Sequence, residues 1–191
     1  MKLKEVTKIR AGHPFRGRID AKDDAESKVI QIKDIDNDGV INWNNLVRTN
    51  VETQRGSTGW LTSGNIIIAS RGPRNIASCI TLEPEVPTVC SPHFFIITIT
   101  NPKIIMPEFL AWQLNQAIAK RYFELSAEGS LQVGIRKSVI EEFDISVPDI
   151  EIQKNIVELA KTSLKEKNVM LQLIHNRELQ LKAIANSILK K

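Results

Sequence analysis

The chain has 191 residues, of which 42% are hydrophobic, 25% charged and 5% aromatic. A chain of that length buries roughly 70% of the surface its unfolded form exposes, so a core forms without disulfides or metals; intrinsic disorder, collagen-like repeats and low-complexity classes are excluded. Lys and Arg number 26 against 22 acids, a formal net charge of +4, and a pI near 9.1 points towards nucleic acid. The excess is local: residues 1–149 carry 18 basic and 18 acidic residues, whereas residues 150–191 carry 8 and 4. Within the neutral part, seven acids crowd Asp20 to Asp38, and Arg48, Arg55, Arg71 and Arg74 then make a cationic stretch. Weak net charge suits a sequence reader, because heavy phosphate attraction blurs discrimination; scattered solvated arginines explain the stretch equally well. Cys79 and Cys90 fit neither a redox pair nor a zinc spacing, which suggests a reducing compartment. The amino terminus, MKLKEVTKIRAG, has no apolar signal region and no apolar run is long enough to cross a bilayer, so a cytoplasmic chain is expected.

In chain order, Val29 to Ile35 alternates apolar and polar residues, and Val40 to Trp43 resumes the alternation after Asp36-Asn37-Asp38-Gly39, which predicts a β-hairpin. Strands follow at Asn65 to Ser70, ended by Arg71-Gly72-Pro73, and at Phe94 to Thr100 between two X-Pro breaks. Pro107 starts a helix that the apolar pattern carries from Glu108 to Leu125, with Phe109, Trp112, Leu114, Ile118 and Phe123 on its buried face and Gly129 beyond its end. A short strand is expected over Phe143 to Val147.

From Ile150 to Leu189 there is no Gly or Pro, and the spacing predicts one helix of roughly 60 Å. Val157, Ala160, Leu164, Lys167, Leu171, Ile174, Glu178, Leu181, Ala185 and Ile188 fall at alternating steps of three and four, a heptad seam interrupted by one Lys and one Glu. No second helix of that length exists in the chain to cover the seam, which points to another subunit; a shorter helix pair folded back on itself is the alternative. The reading is therefore α+β: a β-rich domain with short helices over residues 1–149, then a long coiled-coil helix over residues 150–191.

Motifs for chemistry are sparse. Asp34 to Ile41 matches the first eight positions of an EF-hand loop, including Gly39 at the sixth, but the twelfth is Asn45, the flanks read as strand and no second copy exists. A hydrogen-bonded turn explains it better. Asp20-Ala21-Lys22 is half a nuclease metal site with no acidic partner before it, and His13, His93 and His175 are scattered along the sequence. No enzyme, metal or cofactor is implied.

Several segments in order resemble the DNA specificity subunits of type I restriction-modification systems. These are Val6 to Gly12 (VTKIRAG), Val29 to Ile41 (VIQIKDIDNDGVI), Leu61 to Gly72 (LTSGNIIIASRG, with Asn65 where Asp is more usual), Pro107 to Leu114 (PEFLAWQL), Gly129 to Ile140 (GSLQVGIRKSVI) and Ile145 to Val157 (ISVPDIEIQKNIV). In the last, Gln153 and Ile156 match the family's junction into its long helix, whereas Asp149 and Ile152 depart from it.

The resemblance implies a target-recognition domain followed by a spacer helix. Family members usually carry two of each, and this chain has one. It implies double-stranded DNA and a methyltransferase modification subunit as partners, with an ATP-driven restriction subunit for cleavage. An antiparallel homodimer through Val157, Leu164, Leu171, Ile174, Leu181 and Ile188 would read an interrupted palindrome; pairing with a different half-subunit stays open. Candidate base readers are Arg71, Arg74, Asn75, Gln132, Arg136 and Lys137, since Arg addresses guanine and Asn or Gln adenine. Arg16, Arg18 and Arg55 are candidate phosphate contacts. The competing reading is a non-DNA scaffold that assembles a complex through its heptad helix.

Overall fold

The computed structural model describes residues 1–51, 59–71, 75–127 and 134–189. The chain divides into two compact units, Met1–Lys154 and Asn155–Lys191. In the first unit, a four-stranded antiparallel sheet runs in the order β1 (Thr7–Ala11), β7 (Phe94–Ile99), β4 (Ile66–Ala69), β5 (Ala77–Cys79). A three-stranded sheet runs β3 (Val47–Arg48), β2 (Lys28–Ile30), β6 (Thr88–Cys90), with β2 and β6 parallel. Every residue of β4 is buried, because both faces of this inner strand are covered. One face supplies Ile67 and Ala69, opposite Ile96 and Phe94, to a core that also draws Ile30 and Cys90 from the smaller sheet. The other face carries the buried row Ile9, Ile97 and Ile66.

Among the described residues, the unit also holds the helices α1 (Pro107–Leu114), α2 (Ala117–Ala127) and α3 (Lys137–Glu141). Side-chain amides acting as peptide surrogates tie this layer to its neighbours. Asn115 accepts from Ala77 N at 2.9 Å and donates to Ala77 O at 2.8 Å. Gln113 does the same with the backbone of Ser146, at 2.8 and 2.7 Å. Gln153, fully buried in the first turn of the long helix α4 (Ile150–Leu189), accepts from Met106 N at 2.9 Å and donates to Ile104 O at 2.8 Å and Pro148 O at 2.7 Å. The chain start is held to the same region: Leu3 N donates to Phe143 O at 3.0 Å, Ile145 N to Met1 O at 2.9 Å, and Lys2 pairs with Asp144 at 2.7 Å. Hydrogen bonding to Lys2 holds the Asp144 carboxyl below its ordinary value.

Strands at 66–69 and 94–99 and the uninterrupted helix over 150–189 agree with the sequence pattern. Three expectations are corrected. The hairpin over 29–43 is reduced to one bridge, Ile35 to Ile41: Asp34 turns inward, accepts from Gln31 N at 2.8 Å and winds Ile32–Asp34 into a 3-10 turn. Burial raises the Asp34 pKa against that bond. The helix over 108–125 breaks at residues 115–116, where Asn115 is committed to Ala77. The break resets the phase, so Ala119 and Phe123 are buried while Ile118 is 79% exposed. The strand over 143–147 is a single bridge, Lys2 to Asp144. Gly129 lies outside the described residues.

The EF-hand-like segment is a turn. Asp36 Oδ1 accepts from Asp38 N and Val40 N, both at 2.9 Å. Gly39 sits at φ 80° with Ala77 O only 2.8 Å from where a Cβ would stand, so glycine is required by conformation and space rather than by an ion.

Two outcomes are expected. Gln153→Leu leaves several buried backbone groups without partners and should cost on the order of 3 kcal/mol in urea unfolding; unchanged stability would show that the amide is replaceable. Cys90 is buried and its thiol is pushed up to about 12 by desolvation, so peptide mapping after iodoacetamide at pH 8 should find it unmodified in the native protein and modified in urea.

Candidate nucleic-acid interface

The antiparallel order brings four strand termini to one edge of the larger sheet: the end of β1, the start of β7, the end of β4 and the start of β5. The segments leaving that edge carry most of the polar candidates that the structure describes. The loop after β1 holds exposed Arg16 and Arg18. It is pinned at its root by Gly12 N to Phe94 O at 2.9 Å and His13 N to Cys90 O at 2.8 Å. His13 stacks edge-on against Phe15, with ring centroids 4.7 Å apart. The end of β4 runs into Ser70, whose N and Oγ both donate to His93 O, at 2.8 and 2.9 Å. Exposed Arg71 follows.

Arg71 bridges to Gly134, and Ile135 N donates to Ser70 O at 2.8 Å. A Cβ at Gly134 would stand 2.9 Å from Ser70 O, so only glycine allows this approach. The segment that carries Arg136 therefore lies beside Arg71, although more than sixty residues separate the two in sequence. Guanidinium donors on adjoining backbone, held in place by the bonds of the neighbouring Ser70 and Ile135, can address base edges or phosphates.

The remaining candidates differ in what their side chains already do. Asn75 donates to Ala69 O at 3.0 Å and so shapes the β4–β5 connection. Lys137 pairs with Glu141 at 3.2 Å, one turn along α3. Arg48 of the cationic stretch donates to Ala25 O at 2.9 Å, a structural bond. Arg55, Arg74 and Gln132 lie outside the described residues.

Beside this edge, a cleft of about 650 Å³ is lined by Phe15, Arg18, Gln31, Lys33, Pro92 and His93 among others. Sequence reading missed Gln31, Lys33 and His93. The break at Ser91-Pro92 marked the position before His93, but nothing local showed that residues 13 and 93 meet at one sheet edge. Among the described residues, no group of His, Cys, Asp or Glu is gathered to hold a metal ion, and no helix is long and apolar enough to cross a membrane.

In α4, Val157 is buried and Leu164 half-buried, whereas Leu171, Ile174, Leu181 and Ile188 are between 53% and 68% exposed. The apolar seam is thus open over its carboxy-terminal part.

Residues 1–175 match the family described as the type I restriction modification DNA specificity domain, a specificity domain and not a catalytic one. No curated protein gives a significant match. Solved structures do. A chain from a structure on complex assembly and conformational transition of the type I R-M system superposes with a TM-score of 0.69 at 16% identity, over 100% of this chain and 44% of that one. The HsdS subunit from Thermoanaerobacter tengcongensis gives 0.62 at 16% identity, over 100% of this chain and 43% of that one. The S subunit of the type I system from M. genitalium gives 0.55 at 17% identity, over 95% of this chain and 43% of that one. At such identities the likeness is one of fold, and this chain spans less than half the length of each. A match that covers nearly the whole chain, on this fold, shows that the protein belongs to the type I restriction modification DNA specificity family.

Proposed function

We propose that the chain is a half-length DNA-recognition subunit that reads one half of a bipartite site and works as an antiparallel homodimer joined through α4. The observation that carries this reading is a fold of the specificity family followed by one long helix with an open apolar seam. A two-fold dimer covers that seam. Isologous symmetry then requires both domains to read the same short sequence on opposite strands, which makes the target an interrupted palindrome.

Within each domain, Arg71 and Arg136 on the sheet edge are the base-reading candidates, joined by Arg74, Asn75, Gln132 and Lys137. Arg16, Arg18 and Arg55 hold phosphates. Catalysis belongs to the partners: a methyltransferase modification subunit and, for cleavage, a restriction subunit. We take residues 1–149 as the recognition domain and residues 150–191 as the spacer segment, and the protein works in the cytoplasm.

Burying a large aliphatic side chain contributes about 1.5–3 kcal/mol. Four half-exposed seam residues per helix give a gross gain on the order of 10 kcal/mol per dimer, comparable to the association cost of about 4–15 kcal/mol. The dimer should therefore form reversibly. Light scattering at tens of micromolar should report twice the 21.5 kDa chain mass; a single-chain mass would overturn the dimeric reading. For recognition, duplexes selected from a random pool should share a palindromic motif. On that motif Arg71→Ala should cost about 1–3 kcal/mol per half-site, with little change on random DNA. Equal loss on both would make Arg71 a phosphate contact, and the absence of any preferred sequence would overturn the reading.

A further inference from the structure

Lys167 and Glu178 stand where an apolar seam has no use for charge, and both are exposed on α4. Their positions are symmetric. Reflected through a point between residues 172 and 173, Leu171 falls on Ile174, Leu164 on Leu181, and Ala160 on Ala185. The same reflection lays Lys167 on Glu178. Val157 falls on Ile188, although Val157 is already buried in the single chain. Each apolar residue meets one of similar size, and the only basic position meets the only acidic one.

Building on the homodimer proposed above, we infer that the occupant of this seam is a second copy laid antiparallel in a single register, with Lys167 facing the partner subunit's Glu178 on both sides of the axis. Antiparallel helices pack through reciprocal pairing of the two seam positions of the heptad, and this register makes every such pair compatible. A slip of one heptad, about 10 Å along the axis, sets Lys167 against Leu171 and Glu178 against Ala160. The opposite slip sets Lys167 against Ala185 and Glu178 against Ile174. A parallel pair in register faces Lys167 with Lys167 and Glu178 with Glu178. In all three alternatives a charge is buried against an apolar side chain or a like charge, which costs far more than it returns. Apolar pairs supply the attraction, and the two ion pairs select orientation and stagger at some cost in stability, as single polar residues in coiled-coil cores do.

The test is a charge exchange read by sedimentation equilibrium, with helicity checked by circular dichroism. K167E and E178K each create like-charge contacts on both sides of the axis and should loosen the dimer at least about tenfold. An equimolar mixture of the K167E and E178K chains meets opposite charges at both places and should dimerise within about threefold of wild type, as should the K167E/E178K double variant. Loosening without rescue, or no loosening, overturns the register while leaving the dimer standing. A wild-type chain that stays monomeric overturns the dimeric reading itself.

Discussion

The recognition unit depends on one buried carboxamide. Gln153 has no solvent exposure, and its donors and acceptor are spent on Met106 N, Ile104 O and Pro148 O. Its own N–H also closes the first turn of α4 on Asp149 O at 3.0 Å. An amide carries a donor and an acceptor in the geometry of a peptide unit, so it can replace a missing strand neighbour where the chain changes direction. The approach to α1, the loop after α3 and the start of α4 are thereby joined within one unit. Asn115 on Ala77 and Gln113 on Ser146 repeat the device. Apolar burial drives the layers together without direction, and these amides decide the stagger at which they meet.

A scaffold stitched in this way can carry functional groups on irregular segments without losing their positions. Arg71 leaves β4 at a backbone already tied to residues 93 and 135, and Arg136 follows directly from one of those ties. Recognition loops on a rigid sheet edge combine adaptable side chains with a fixed origin. The charge pattern complements this arrangement. Arginines cluster locally while residues 1–149 as a whole carry no net charge, a balance under which attraction to random phosphate would be weak.

What could be read from the sequence divides along physical lines. Strand β4, strand β7 and helix α4 rest on periodicity and composition, which are local, and all were visible in the sequence. The 3-10 turn at Ile32–Asp34 and the break at residues 115–116 rest on side chains that bind backbone. Asp34 folds inward to Gln31, and Asn115 is claimed by a strand almost forty residues earlier; neither choice alters the hydrophobic pattern. The convergence of residues 71, 93 and 134–136 is non-local in the same sense. Sequence reading found the arginines by type, and pairing across the sheet edge was needed to see which of them stand together.

The dimer proposed above has a thermodynamic consequence. A single domain reading a few base pairs with one or two arginines has only modest discrimination available to it, since each good bidentate pair is worth about 1–3 kcal/mol. Joining two identical domains through a stiff helix pair makes the second binding event intramolecular, so its cost in lost translational freedom is largely met by the first. The gain holds only if the spacing of the two half-sites equals the spacing that the helix pair enforces. Stagger along α4 then becomes part of the address: a slip of one heptad would move the reading heads by about 10 Å, close to three base-pair steps, and rotate the second half-site away from its domain. Covalent connection between two such helices would fix that stagger. In the pair of separate chains proposed above, that distance would have to be encoded in side chains, and a seam that carries one lysine and one glutamate at mirrored positions has the means to encode it.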